Sequence, residues 1–150
     1  MNRALTTALA LVLLALPGLR GNALASEAPA KAKPPAAITE ARIRSLLPGL
    51  WRADSESPPI SVKATSNYLR NGTVIFVGHI TGPGVDVKYR VKSKWVVEGD
   101  LLVSTIIESN RPDMLALGSV QRDRVVEIDG KHFTYLDSSG VRYSEFLIKR

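Results

Sequence analysis

Polar and apolar residues alternate along positions 85–97, which read Val-Asp-Val-Lys-Tyr-Arg-Val-Lys-Ser-Lys-Trp-Val-Val. Apolar and aromatic side chains dominate one parity, whereas one acid and four cations fill the alternate positions from 86 to 94. A β-strand sends successive side chains to opposite faces, while a helix would scatter both sets around its circumference. The pattern therefore predicts a long strand with one dry face and one cationic, solvated face.

Shorter runs of strand-like composition precede and follow this segment, separated by turn residues such as Gly, Pro, Asn and Asp. In chain order they lie at residues 50–54, 60–69, 73–80, 101–108, 119–128, 131–136 and 141–149. Ahead of them, an N-capping Thr39 and apolar residues at helical spacing predict a short helix at 39–47. We therefore expect a mainly β chain, an antiparallel up-and-down meander of about eight strands closed into a barrel, with a short N-terminal helix.

The turn at residues 70–72 contains an Asn-Gly pair and allows two strand registers. A three-residue loop with Gly72 in the left-handed region pairs Tyr68 with Val74 and puts the apolar residues of both strands on one face. A two-residue turn shifts the pairing by one residue and brings His79 to the face of Tyr68. We favour the first register, in which both strands agree about the apolar side and His79 faces outward.

The N-terminal segment 1–25 has the three-part layout of a secretory signal peptide. Arg3 precedes an apolar run at 8–16, and Ala-Leu-Ala at 23–25 is a small-x-small cleavage site. The apolar run is too short to span a bilayer, which takes about 20 residues. Residues 26–37 are rich in Ala, Pro and Lys and are predicted to be a flexible leader. We therefore expect one folded domain at 38–150 in a periplasmic or secreted protein.

The chain carries a net charge of +6, and removal of two arginines with the signal leaves +4. It contains no cysteine, so no disulfide stabilises the fold and the apolar core must do so. The cationic residues at 88–94 are expected to be solvated. Aromatic residues lie on the opposite parity and cannot stack on bases beside these cations, so we expect no nucleic-acid partner. Contact with a membrane surface or a protein partner is left open.

Gly49-Leu50-Trp51 begins the first predicted strand directly after the short helix, and the last strand ends in Lys149-Arg150. This arrangement resembles the signature of the lipocalin and calycin barrels. Similarity to small exported bacterial lipocalin-like domains extends to three further segments, at residues 68–73, 94–102 and 124–130. The chain is shorter than typical lipocalins and lacks their cysteines. The resemblance implies that Trp51 closes the barrel floor and that Arg150, or else Lys149, packs across its ring.

An eight-stranded barrel is just wide enough to be filled by its own side chains or to hold one small ligand. Six aromatic residues are predicted to point inward: Tyr68, Phe76, Tyr89, Trp95, Phe133 and Tyr135. They can line a pocket for an apolar or aromatic molecule, or they can pack on one another as a solid core. The sequence leaves both alternatives open.

Arg122 and Arg124 share the parity of three apolar residues on the predicted sixth strand. If that parity faces inward, a buried guanidinium requires an anionic partner. A ligand carboxylate can serve, as it does in fatty-acid-binding members of the calycin group. If the strand bulges or twists, both arginines reach solvent near the rim and pair with acids such as Asp123 or Glu127. Both arginines are counted as ligand-binding candidates.

The longest predicted loop, 109–117, contains Met114, Leu115 and Leu117 with few polar neighbours. Loops that expose apolar residues often act as lids or partner sites. This loop can instead fold back over the barrel mouth as a plug.

No catalytic constellation is apparent. No serine lies in a nucleophile-elbow motif, no glycine-rich phosphate loop occurs, and both histidines, His79 and His132, are expected to face outward. We therefore predict no enzyme, no metal and no cofactor; a haem-binding barrel would need His79 inside, in the other register. Catalysis within the barrel would require an ionisable group deep in the interior with a strongly shifted pKa.

The leading hypothesis is an exported lipocalin-like binding protein that holds an apolar or weakly anionic small molecule non-covalently. In it, the inward aromatic residues provide affinity, an arginine orients the ligand and the 109–117 loop closes the mouth. The alternative is a protein-interaction or inhibitor module of the cell envelope, which has a filled barrel and uses the same loop.

Overall fold

The computed structural model describes residues 37–150, so the predicted signal peptide and all but the last residue of the predicted leader lie outside the described residues. One helix and eight strands follow in chain order: α1 (Glu40–Leu46), β1 (Gly49–Ser57), β2 (Ile60–Tyr68), β3 (Thr73–Gly82), β4 (Val85–Glu98), β5 (Leu101–Ser109), β6 (Val120–Ile128), β7 (His132–Leu136) and β8 (Arg142–Lys149). Each strand pairs antiparallel with its neighbours and β8 pairs with β1, which closes the barrel. The predicted fold class is confirmed. Within this part of the chain, no helix has the length and apolarity needed to cross a membrane.

The β2–β3 hairpin adopts the three-residue register favoured by the sequence. Tyr68 lies opposite Val74, and the backbone N–H of Leu69 donates to the carbonyl oxygen of Thr73 at 2.8 Å. Gly72 supplies the left-handed residue, with φ of +78°. The inner face of both strands is therefore the apolar one, and the expected orientation of this hairpin is confirmed.

The alternation along β4 also persists in the barrel. All of its apolar and aromatic residues except the exposed Val96 face the interior, whereas its lysines and arginine face solvent. Outer-face ion pairs join β4 to its neighbours: Lys92 Nζ lies 2.7 Å from Glu108, and His79 Nε2 lies 2.6 Å from Asp86. His79 is thus on the outer surface and takes no part in the interior.

Helix α1 covers one end of the barrel, called here the helix end. Thr39 caps the helix by accepting a hydrogen bond from the backbone N–H of Arg42 at 3.2 Å, and Ile43 is fully buried against the strands. The Arg42 guanidinium donates to the carbonyl oxygen of Ile128 through Nη2 at 2.9 Å and Nε at 3.2 Å. These bonds tie the helix to the end of β6, and Arg44 Nη2 ties it to β4 by donating to the carbonyl oxygen of Val97 at 3.0 Å.

The opposite end, called the loop end, is formed by the β1–β2, β3–β4, β5–β6 and β7–β8 connections. Inward residues of β4 are buried from Val91 onward but only half-buried from Val85 to Tyr89, and β2 shows the same gradient. The first six residues of β4 pair with β3, whereas its pairing with β5 begins at Val91. The β1–β4 wall therefore extends farther at the loop end than the facing wall.

Strand β6 decides between the two orientations considered for Arg122 and Arg124, and it removes both from the ligand-binding candidates. Both side chains are exposed on the outer face, while Asp123 between them is buried. The pairing of β6 with β7 shifts register between Val125 and Glu127, which marks a β-bulge. Because the bulge inserts one residue, the inward parity of Ile128 does not extend back to the arginines. Arg124 lies 3.4 Å from Asp100, outside the barrel.

Candidate ligand-binding site

Five of the six predicted inward aromatic residues form one connected cluster. Tyr68 makes edge-to-face contacts with Phe76, Trp95 and Phe133 at ring-centroid distances of 6.0, 6.1 and 6.3 Å. Tyr135 continues the cluster at 5.0 Å from Phe133. Such pairs are favourable packing arrangements, so the cluster is a rigid aromatic lining at the helix-end half of the interior.

Tyr89, the sixth, lies against the β3 wall near the loop end. It faces Gly78 across the strand pair, and a Cβ atom at Gly78 would overlap with the Tyr89 ring. Gly78 continues a row of the smallest side chains across three strands, with Ala64 and Ala53. Both alanines face inward and stay only half-buried. The Tyr89 ring therefore covers Gly78, whereas the two alanines keep accessible surface on the inner face.

Trp51 occupies the floor position implied by the family resemblance. Its ring is fully buried, meets Phe133 at 5.8 Å, and donates its indole N–H to the carbonyl oxygen of Leu47 at 2.7 Å. Arg150, predicted to pack across that ring, is exposed and donates through Nη1 to the carbonyl oxygen of Leu46 at 3.2 Å. The contact that the structure gives Arg150 is thus with the helix that covers the floor.

Trp95 has a structural role besides its place in the lining. Its indole N–H is shared between the carbonyl oxygens of Leu69 and Thr73, at 3.2 and 3.1 Å. These oxygens belong to the β2–β3 turn, so Trp95 anchors that turn to β4. Its polar edge is occupied, and only its ring is available to the interior.

Glu145 on β8 is the residue that the sequence reasoning missed. It projects inward, with only 2% of its surface exposed. The hydroxyl of Tyr135 donates to Oε1 at 3.2 Å, while Oε2 has no hydrogen-bond partner among residues 37–150. Burial raises the pKa of Glu145 to about 7, although the nearby hydroxyl groups of Ser66 and Tyr135 oppose the rise. The barrel thus contains a buried carboxyl group with one oxygen unsatisfied.

Asp123 adds a second acid to the interior. The side-chain amide of Gln121 donates to both of its carboxylate oxygens, at 3.0 and 2.8 Å. Burial raises the pKa of Asp123 to about 6, and the negative charge of Asp137 adds to this effect. Burial and the charge of Glu145 also raise the pKa of Tyr68 and of Tyr135. These shifts show that the interior groups are close enough to sense one another.

The interior is therefore acidic. Along β1–β8, the lysines and arginines are exposed on the outer face, whereas the inward titratable groups are carboxyls and phenols. With Arg122 and Arg124 outside and Glu145 and Asp123 inside, the interior has no arginine that could hold a ligand carboxylate. A carboxyl with a pKa near neutral can accept a hydrogen bond from a donor or give one to an acceptor, according to pH.

The 109–117 loop divides into two parts. Leu115 is 3% exposed and packs with Val91 and Ile106 in a second apolar cluster that also contacts Phe76 and Tyr89. Met114 and Leu117 are 41% and 61% exposed. Two hydrogen bonds tie the loop to β4. The backbone N–H of Arg90 donates to Asn110 Oδ1, and the backbone N–H of Asn110 donates to the carbonyl oxygen of Arg90. Leu115 acts as a plug residue, and the other two apolar side chains remain on the surface.

No protein-family model matches the chain, and a search of curated proteins finds no match either. The resemblance carried by Gly49-Leu50-Trp51 is therefore supported at the level of the eight-stranded up-and-down barrel alone.

Proposed function

We propose that this chain is an exported, lipocalin-like binding protein, which holds one apolar or aromatic small molecule non-covalently inside the barrel. The ligand occupies the loop-end half of the interior, above the aromatic cluster. One observation carries this proposal: inward residues of β1, β2 and β4 in that half keep accessible surface instead of packing closed. Ligand sites in proteins are typically apolar concavities with a few polar groups.

The interior chemistry changes the expected ligand class. Arg122 and Arg124 are not available inside, and two acids are, so a weakly anionic ligand is no longer favoured. Two negative groups would repel a ligand carboxylate in a region of low dielectric. The ligand is therefore an apolar molecule without negative charge.

Export is supported by the sequence of residues 1–25. Expression of the full chain in a bacterial host, followed by fractionation and N-terminal sequencing, should find protein that begins at Ser26 outside the cytoplasm. An intact N terminus in the cytoplasmic fraction would contradict this part of the proposal.

Binding is tested with the neutral fluorophore N-phenyl-1-naphthylamine, whose emission increases in apolar surroundings. The protein should bind it with saturable enhancement. Ala64→Phe, which adds a ring to the row of small inward residues, should reduce the affinity by at least about tenfold. Thr65→Phe, the matched control, adds the same ring on the outer face and should leave binding unchanged.

Saturable binding that neither variant changes would place the dye outside the barrel. Lack of saturable binding by the parent protein would contradict the proposed function directly.

The exposure of Met114 and Leu117 favours the second candidate, a protein-interaction module of the cell envelope. In that case, replacement of Met114 by Asp abolishes capture of an envelope partner, while dye binding in the interior is absent from the parent protein.

A further inference from the structure

We propose that Glu145 is the polar anchor of the interior site and that it selects ligands in which a protonated nitrogen, an ammonium or a guanidinium, is attached to an apolar body. This inference rests on the proposed function and adds the class of ligand.

The first support is the unsatisfied oxygen of Glu145. Buried carboxylate oxygens in folded proteins almost always have partners, because a desolvated acceptor without one is costly. Tyr135 supplies the partner of Oε1 at 3.2 Å, and Oε2 has none in the part of the chain that the structure describes. A ligand N–H group is a donor of the kind that this oxygen lacks.

The second support is the absence of a protein cation inside. Across the inward positions of β1–β8, no lysine or arginine faces Glu145 or Asp123. A buried carboxylate that is not paired is strongly disfavoured. A bound cation would offset the negative charge, and its N⁺–H···O⁻ bond is stronger than one from a neutral donor.

The third support is the aromatic lining. The rings of Tyr68 and Tyr135 both lie near Glu145, and the Tyr135 hydroxyl donates to it at 3.2 Å. Ring faces attract cations. Carboxylate and ring faces therefore favour the same ligand charge, while the half-buried Ala53 and Ala64 contact the apolar body of the ligand.

The inference is tested with three probes of similar size that differ in their head groups: 2-phenylethylamine, 2-phenylethanol and 3-phenylpropionate. Each is used to displace N-phenyl-1-naphthylamine at about pH 8, where Glu145 is mostly ionised. The amine should bind about ten to a hundred times more tightly than the alcohol, as one hydrogen bond to a charged group implies, and the carboxylate most weakly. Glu145→Gln should abolish the preference for the amine but keep dye binding. Glu127→Gln, a matched control on the outer face, should retain the preference.

The pH dependence of the amine affinity provides a test that requires no variant. Between about pH 5 and about pH 8 the amine stays protonated, so its affinity should rise as Glu145 ionises, while that of the alcohol should change little. The titratable groups that face Glu145 are Tyr68, Tyr89, Tyr135 and Asp123. Asp123→Asn distinguishes the effect of Asp123 from that of Glu145. It should lower the affinity for the amine less than Glu145→Gln does.

If the amine and the alcohol displace the dye equally well at about pH 8, the inference about Glu145 is wrong. Binding of the dye would still support the proposed function. An amine preference that persists in Glu145→Gln would overturn the assignment of the anchor. If the dye itself fails to bind, the proposed function fails first.

Discussion

At the residue scale, Glu145 places a carboxyl group where ionisation is unfavourable. Its pKa rises from 4.5 in an exposed chain to about 7 in the barrel. Between these values the folded state binds more protons than the unfolded state, so the free energy of unfolding falls as pH rises from about 4.5 to about 7. Above that range the destabilisation is complete, at about 3 kcal/mol for a shift of this size. A residue that lowers stability in the absence of ligand is consistent with a binding role.

We therefore predict that Glu145→Gln stabilises the unliganded protein, and more so at high pH. The gain over the parent should be about 2–3 kcal/mol larger at about pH 8 than at about pH 5, because glutamine has no proton to lose. Urea unfolding followed by tryptophan fluorescence measures both values. Glu127→Gln, exposed on β6, serves as the control and should show no such difference. Parallel pH profiles for Glu145→Gln and the parent would contradict the assigned burial.

The sequence could not reveal Glu145, for a physical reason. Along β8, Phe146 and Ile148 compete with Tyr143 and Leu147 for the inward face, and the apolar pattern does not decide between the two parities. In the structure, Phe146 and Ile148 are about half exposed. Tyr143 and Leu147 face inward, and Glu145 faces inward too because it shares their parity.

At the element scale, turns were predictable and bulges were not. The β2–β3 register follows from local chemistry, since Gly72 takes a positive φ and both strands agree on their apolar side. The bulge at Val126 depends on the pairing between β6 and β7, and the order of residues along β6 alone does not show that pairing. For that reason the sequence could not decide which way Arg122 and Arg124 point, whereas the aromatic residues on segments without a bulge face inward as predicted.

Helix α1 is too short to be stable alone, so its contacts with the barrel must hold it in place. Arg42→Ala removes two hydrogen bonds to the carbonyl oxygen of Ile128 and should lower the free energy of unfolding by about 1–3 kcal/mol. Arg70→Ala, at an exposed turn residue of the same end, should change it by less than about 0.5 kcal/mol. Urea unfolding of both variants measures the difference; equal effects would mean that the Arg42 bonds do not stabilise the helix.

At the scale of the whole molecule, the barrel combines a closed half with a half that a smaller apolar cluster fills only in part. Side chains of α1 and the aromatic cluster close the helix end, where Trp51, Phe133 and Leu47 are fully buried. Toward the loop end the β1–β4 wall continues without a full facing wall, and its inward residues stay half-buried. Glu145 lies opposite Phe133, so the interior carboxyl borders the main core.

This division predicts a gradient of local stability along single strands. Amide hydrogen exchange of the unliganded protein should be slowest in the middle of β4, from Val91 to Lys94, where both neighbouring strands pair with it. It should be faster by at least about tenfold from Val85 to Lys88, which pair with β3 alone and bury fewer apolar contacts. NMR measures the exchange of individual amides, so the two segments are compared within one strand and not between different strands. Saturation with N-phenyl-1-naphthylamine should slow exchange in the second segment, because the dye contacts its inward side chains. Uniform exchange along β4, with no effect of the dye, would mean that the loop-end half is as tightly closed as the helix end and contains no ligand space.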